Sequence, residues 1–216
     1  MKIGIVGGTG DIGEGMALRL SPHYEVIVGS REKEKADHTC SECISLLRSR
    51  GKECSLKGNI NQGCVDDADV IILAVPFKTL ALTLETVSGF DDKIVISPVN
   101  PMEKRDCFMF VPPPEGSAAL MARKMLSKTA RVCSAFNTIA ANKWRALDEE
   151  LDYSVPVTGD DEEAKRIVMG IVNNVSKLKA YDAGPLAASS MVEALTPLLL
   201  NIARYNKMRD VGIQFR

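Results

Sequence analysis

Lys2-Ile-Gly-Ile-Val-Gly-Gly-Thr-Gly-Asp-Ile-Gly13 is the stretch whose reading decides the fold. Lys2 to Val6 is a short apolar run rich in β-branched residues. It feeds into Gly8-Thr-Gly-Asp-Ile-Gly13, a G-x-G-x-x-G loop that opens onto the helical pattern Glu14-Gly-Met-Ala-Leu-Arg-Leu20. The order is strand, tight turn, helix. Gly8 allows the turn, Gly10 lets backbone approach a pyrophosphate, and Gly13 lets the helix pack close to the strand. The helix N-terminus, with free N–H groups and a positive dipole end, then faces the phosphates. A glycine-rich loop alone serves equally well as a plain turn; the strand before it and the helix after it make dinucleotide binding the better reading.

Moving outward, the helix from about Asp11 to Leu20 ends before Ser21-Pro22, and Glu25 to Gly29 reads as the second strand of a β-α-β unit. The residues after that strand set cofactor choice. An NAD site places Asp or Glu there to accept from the ribose 2′-hydroxyl, whereas this chain has Ser30-Arg31, with Lys35 one helical turn on. A carboxylate repels a 2′-phosphate; a hydroxyl, a guanidinium and an ammonium attract one, so NADP is expected. The plainer alternative is that Arg31 and Lys35, interleaved with Glu32 and Glu34, only solvate a helix start.

Further along, Lys33 to Arg50 has a helical pattern, and Gly51 to Gly63 reads as a polar loop with room for one short strand. Val70 to Val75 is a continuous apolar run of the kind buried on both faces of a parallel sheet. Pro76-Phe77 ends it, which puts Ala74, Val75 and Phe77 at a strand's carboxyl end, where ligands sit in open α/β sheets. Thr79 to Ser88 reads as helix, Lys93 to Ser97 as strand, and Pro98 to Pro114 as a proline-rich loop long enough to wall an active site. Helix is expected from Ser117 to Ser127 and strand from Arg131 to Phe136. Strands follow at Tyr153 to Thr158 and Lys177 to Tyr181, with a helix from Glu163 to Asn174 between them. The pairs Asp66-Asp67 and Asp160-Asp161 read as caps. Ser190 to Met208 is a long apolar helix with Pro197 inside it, carrying more than one stripe, so a partner subunit is expected on it. The fold class is α/β: a Rossmann-type doubly wound parallel sheet over residues 1–150, with a small C-terminal α/β extension over 151–216.

The 216 residues carry a net charge of −1 and no Lys/Arg-rich block, which argues against nucleic-acid and membrane-surface partners. The first strand begins at Lys2, leaving no room for a targeting peptide, and no apolar run is read as reaching the ~20 residues needed to span a bilayer. A cytoplasmic protein is expected. Six cysteines include one C-x-x-C, Cys40 to Cys43, with no second pair to complete a zinc site, so free thiols are the better reading and no metal is expected.

Few catalytic groups are available. The two histidines, His23 and His38, flank the second strand and fall on the adenosine side of the expected cofactor. The nicotinamide site is left to Val75, Phe77, Asn100 and Thr138, none of which carries a substrate proton readily. Direct hydride exchange between two cofactors fits such a site, because each supplies its own chemistry and the protein supplies position.

Taken together and in order, Gly7 to Gly13, Val28-Gly-Ser-Arg31 with Lys35, Val75-Pro-Phe77, Val157 to Asp161, Asp182 to Leu186, Leu195 to Asn201 and Val211 to Phe215 closely resemble the archaeal coenzyme F420:NADP oxidoreductases, also called NADPH-dependent F420 reductases. The resemblance runs along nearly the whole chain. It implies a homodimer that passes hydride reversibly between carbon 5 of a reduced 8-hydroxy-5-deazaflavin, coenzyme F420, and carbon 4 of the nicotinamide of NADP, with no catalytic side chain. By position, Gly8, Thr9, Gly10, Asp11, Ile12 and Gly13 form the pyrophosphate loop. Thr9, Ser30, Arg31 and Lys35 would take the 2′-phosphate. Val75, Phe77, Ala81, Asn100 and Ala141 would line the nicotinamide half, and the backbone near Val211 would reach the deazaflavin. Two positions depart from the family pattern: Phe77 stands where a tryptophan is expected and Asn137 where a histidine is. Two other classes share the Rossmann start, an NADPH-dependent reductase of the pyrroline carboxylate reductase type and a non-enzymatic NADP-binding regulator. The Leu-Thr-Pro segment and the closing Gly-Ile-Gln-Phe fit the first of these poorly.

Overall fold

The computed structural model describes residues 1–175 and 177–216. In chain order the elements are β1 (Lys2–Val6), α1 (Asp11–Leu20), β2 (Glu25–Ser30), α2 (Lys33–Arg48), β3 (Ser55–Ile60), α3 (Asn61–Asp67), β4 (Val70–Leu73), α4 (Phe77–Thr86) and β5 (Ile94–Ser97). A hairpin β6 (Met102–Lys104) and β7 (Phe108–Phe110) follows, then α5 (Ala118–Met125), β8 (Arg131–Ser134) and α6 (Ala141–Arg145). The chain closes with β9 (Ser154–Gly159), α7 (Glu162–Asn174), β10 (Lys179–Asp182) and α8 (Ser189–Tyr205).

Six strands run parallel in the order β3-β2-β1-β4-β5-β8, the doubly wound arrangement that starts in the middle and winds outward twice. The same sheet then continues: β9 joins β8 antiparallel, and β10 pairs parallel with β9. Alternation along each strand divides the core in two. Ile3, Ile5, Val26, Val28, Val70 and Ile72 pack on one face with α1, α2 and α7, while Val6, Ile27, Ile71, Leu73 and Val95 pack on the other with α3, α4 and α5. Val155, Val157, Val168 and Ile171 belong to the first of these cores, so the C-terminal extension buries its apolar residues in the layer that serves β1 and β2.

Several local expectations give way. The stretch from Gly51 to Gly63 is loop only as far as Cys54: the short strand is β3, which pairs with β2 along its whole length, and α3, which was not expected, starts at Asn61. That helix also overturns the capping role of Asp66-Asp67, which lie at its C-terminal end; Asp66 accepts from Gln62 at 2.7 Å and Asp67 pairs with Lys57 at 3.1 Å. In the second acidic pair, Asp161 does cap α7, accepting from Ala164 N–H at 2.7 Å, while Asp160 accepts from Leu186 N–H. The proline-rich segment contains the β6–β7 hairpin, and α6 was not expected.

The last concerns α8, which ends at Tyr205 and contains Pro197. Leu186–Tyr205 is, contrary to the sequence reading, long and apolar enough by length and composition to cross a membrane, with mean hydropathy 1.4. Its polar side chains nevertheless tie one face of it to the rest of the fold. Glu193 is fully buried and accepts from Ala118 N–H at 2.7 Å and Ala119 N–H at 3.0 Å, which satisfies the first turn of α5. Burial pushes its carboxyl up to about 7, against the two N–H donors that pull it down. Thr196 donates to the Asn137 carbonyl at 2.7 Å, and Asn201 grips the hairpin, accepting from Phe108 N–H and donating to Phe108 O, both at 2.8 Å. The opposite face leaves Met191, Leu198, Ile202 and Tyr205 exposed at helical spacing.

Candidate active site

The strand-to-helix turn after β1 is tight because the backbone folds on itself: Gly8 N–H donates to Ile5 O at 3.1 Å and to Gly29 O at 2.8 Å, and Gly7 takes φ of +74°. Asn61, at the start of α3, accepts from Gly7 N–H at 3.2 Å and props the loop from the side. A Cβ on Gly13 would lie 2.6 Å from Gly8 Cα, and one on Gly8 would lie 2.9 Å from Ile5 O, so both glycines are required by the fold itself. Gly10 differs. Its φ of −86° suits any residue, and the nearest atom to a Cβ there is Gly7 O at 3.7 Å, an ordinary contact. The space in front of Gly10 is therefore room for a ligand. No side chain caps α1, which leaves its first-turn N–H groups to an anion.

This separation gives a test. Gly10→Ala should fold with wild-type thermal stability yet bind NADPH about tenfold or more weakly, because only the ligand needs that space. Unchanged NADPH affinity would remove the pyrophosphate from this loop.

Two adjoining cavities run along the carboxyl ends of the strands and share Gly10, Ala74, Val75 and Pro76. They are the two halves of one cleft, of about 450 and 370 Å³. The first half brings together Thr9, Ser30, Arg31 and Lys35, with Asn61 beside them and Leu82 and Thr83 of α4 opposite. Ser30 Oγ accepts weakly from Glu32 N–H at 3.4 Å, and its hydroxyl proton has no acceptor among the described residues. The nearby carboxylate Asp37 is taken by Lys33 at 2.7 Å, so among the described residues Arg31 and Lys35 have no carboxylate partner. Hydroxyl, guanidinium and ammonium thus line one corner, with Glu32 the one carboxylate among the described residues that lines it too.

The second half is apolar. Ile12, Val75, Phe77, Asn100, Met102 and Ala141 line it, and its one ionisable group, Asp11, is exposed and paired with Arg145 at 3.3 Å. Among the described residues no histidine, lysine or cysteine lines it.

Several expected residues lie elsewhere. Ala81, one turn after Phe77, lines neither half. Gly8 and Gly13 are buried behind the loop and act through packing. Thr138 and Val211 share a separate small cavity of about 100 Å³ with Asn137, Ala140 and Thr196, and neither lines the apolar half. His23 corrects its placement on the adenosine side: it lines a wide depression at the opposite, amino edge of the sheet beside Lys2, Glu25 and Asp69. That depression, of about 790 Å³, is lined by neither the glycine turn nor a strand carboxyl end. His38 is exposed on α2, one turn from Glu42. Asn61, Met102 and Thr196 escaped the sequence reading; only the asparagine-glycine spacing around Asn61 offered a signal.

The C-terminal tail folds over the same edge. Thr158 stands opposite Ser134, so β9 begins beyond the carboxyl end of β8, and there Ser154 N–H donates to Ile213 O at 2.7 Å while Ser154 Oγ accepts from Phe215 N–H at 2.7 Å. Residues 211–213 are thereby held next to Thr138.

Residues 2–101 match the family model described as NADP oxidoreductase coenzyme F420-dependent. Over 220 residues the chain is 37% identical to the F420-dependent NADP reductase of Methanocaldococcus jannaschii, covering 99% of this chain and 97% of that protein. It is 32% identical to that of Methanothermobacter thermautotrophicus, covering 99% and 94%. Among solved structures, a protein of Arthrobacter sp. FB24 proposed to be an F420-dependent NADP reductase superposes with a TM-score of 0.81 over 100% of this chain and 99% of that one; at 20% identity this speaks for the fold alone. A pyrroline-5-carboxylate reductase of Coxiella burnetii reaches 0.54 at 15% identity, over 84% of this chain and 58% of that one.

Proposed function

The chain belongs to the family of F420-dependent NADP reductases, and from that membership we infer that it is an oxidoreductase passing hydride reversibly between coenzyme F420 and NADP. The observation that supports this chemistry most directly is the apolar half of the cleft, whose one ionisable group among the described residues, Asp11, is paired with Arg145. A hydride leaving carbon 4 of NADPH carries two electrons to carbon 5 of the deazaflavin, and one proton from solvent completes the reduced ring. No side chain has to deliver that proton to the reacting carbons. The protein's part is to stack the rings with the reacting carbons at about 3–3.5 Å and to keep water out.

The residues carry separate tasks. Thr9, Gly10, Asp11 and Ile12 present backbone to the pyrophosphate, and Ser30, Arg31 and Lys35 take the 2′-phosphate. Val75, Phe77, Asn100 and Ala141 flank the nicotinamide, with Met102 added by the hairpin. The deazaflavin enters from the side of Thr138 and Val211. Residues 1–150 thus form the NADP unit, and 151–216 contribute to the deazaflavin site and the dimer contact. Mixing the purified protein with NADPH and the oxidised deazaflavin tests the reading: the deazaflavin's visible absorbance should bleach. Tight NADPH binding with no bleaching would favour a non-enzymatic NADP-binding regulator.

Six free cysteines, four of them buried, suit a reducing cytoplasm. The stripe of Met191, Leu198, Ile202 and Tyr205 on α8, between 37% and 68% exposed, suits an isologous homodimer in which two such helices cover each other. Sedimentation at micromolar concentration should give twice the chain mass. A monomer there would count against the dimer.

A further inference from the structure

One residue holds both ends of the Asn100 carboxamide. Asn100 Nδ2 donates to the main-chain oxygen of Asn137 at 2.9 Å, and Asn100 Oδ1 accepts from Asn137 Nδ2 at 3.3 Å. The orientation of Asn137 is itself decided by its surroundings. Its Nδ2 faces three oxygens, Ser97 O at 3.4 Å, Val99 O at 3.2 Å and Asn100 Oδ1, while its Oδ1 accepts from the Ser134 hydroxyl at 3.0 Å. A flipped amide would set oxygen against three oxygens. Asn137 is buried, and its carbonyl takes a second donor, Thr196 Oγ1.

A primary carboxamide has two N–H groups and two oxygen lone pairs. Asn137 uses one of each on Asn100, which leaves one N–H and one lone pair, pointing to opposite sides of the amide, on a half-buried residue that lines the apolar half of the cleft. An N–H held in this way is a donor for an amide oxygen, such as the one in the carboxamide that nicotinamide carries. We propose that Asn137 is a positioning residue for hydride transfer: it fixes Asn100 so that the remaining N–H donates to the nicotinamide carboxamide oxygen and sets which face of the ring is presented. The inference rests on reading that half of the cleft as the nicotinamide site.

The test compares Asn100→Ala, Asn137→Ala, the double variant and Ser134→Ala. It reads kcat and KM for NADPH with the deazaflavin as acceptor, and the Kd of 2′,5′-ADP as a probe of the adenosine half alone. Asn100→Ala and Asn137→Ala should each raise the NADPH KM about three- to tenfold and lower kcat, leave 2′,5′-ADP binding unchanged, and give a double variant no worse than either single one. Ser134→Ala removes only the hydroxyl that orients Asn137 and should show the same pattern at about two- to threefold; it carries the test if Asn137→Ala does not fold. Additive losses, an equal loss of 2′,5′-ADP, or wild-type values for Ser134→Ala where Asn137→Ala does not fold would overturn the proposal. A wild-type protein that binds 2′,5′-ADP but reduces no deazaflavin would instead sink the functional reading, before any variant is compared.

Discussion

Arg31→Ala should weaken NADPH binding about ten- to a hundredfold while NADH barely changes. Charge-assisted contacts to a phosphate are worth about 1.5–3 kcal/mol, and each 1.4 kcal/mol is about tenfold in affinity. The guanidinium meets the conditions for the full effect. It lines the cleft beside Ser30 and Lys35, and among the described residues it forms no ion pair, although Glu32 lines the same half. Isothermal titration of both nucleotides checks this. Equal losses for NADPH and NADH would show that Arg31 acts on the fold and not on the 2′-phosphate.

Ending the chain at Asp210 should lower deazaflavin reduction about a hundredfold or more and leave NADPH binding intact. Residues 211–216 line neither half of the cleft, whereas Val211 walls the small cavity beside Thr138. The deletion removes the backbone bonds to Ser154, so a misplaced ring and not a lost contact alone is the expected cause. A misplacement of about 1 Å costs on the order of a hundredfold in rate. Steady-state rates at saturating NADPH, with NADPH affinity measured in parallel, decide it. A truncated protein that still reduces the deazaflavin at the wild-type rate would remove the tail from the site.

How far the chain could be read in advance follows from where local signals agree with the final contacts. Lys2–Val6 and Asp11–Leu20 came out at their observed bounds because β-branched run, glycine turn and helical period all point the same way there. The positive corner was legible too, since Ser30, Arg31 and Lys35 sit on adjacent elements. The helix α3 was hidden because Gly58-Asn-Ile-Asn-Gln-Gly63 has turn composition; what decides its structure is pairing with β2 and the bond from Gly7 to Asn61, both distant in sequence. The hairpin was hidden for a related reason. Phe108-Met-Phe110 is too short to show a period among prolines, and its anchor, Asn201, lies 93 residues away. Thr138 and Asn100, both near strand ends, looked like one site until the fold put Thr138 in the neighbouring cavity with Val211. The exposed stripe on α8 was readable as excess hydrophobicity. Which of its residues face inward was not, because that depends on Glu193, Thr196 and Asn201 finding partners in three other segments.

The central claim is that hydride passes directly from one ring to the other with no protein group between them, and isotope transfer tests it most directly. With NADPH carrying deuterium on one face of carbon 4, the enzyme should deliver the label to carbon 5 of the deazaflavin. Only one of the two labelled epimers should donate it, and none should be lost to water. Label released to solvent, or transferred equally from both faces, would contradict the account.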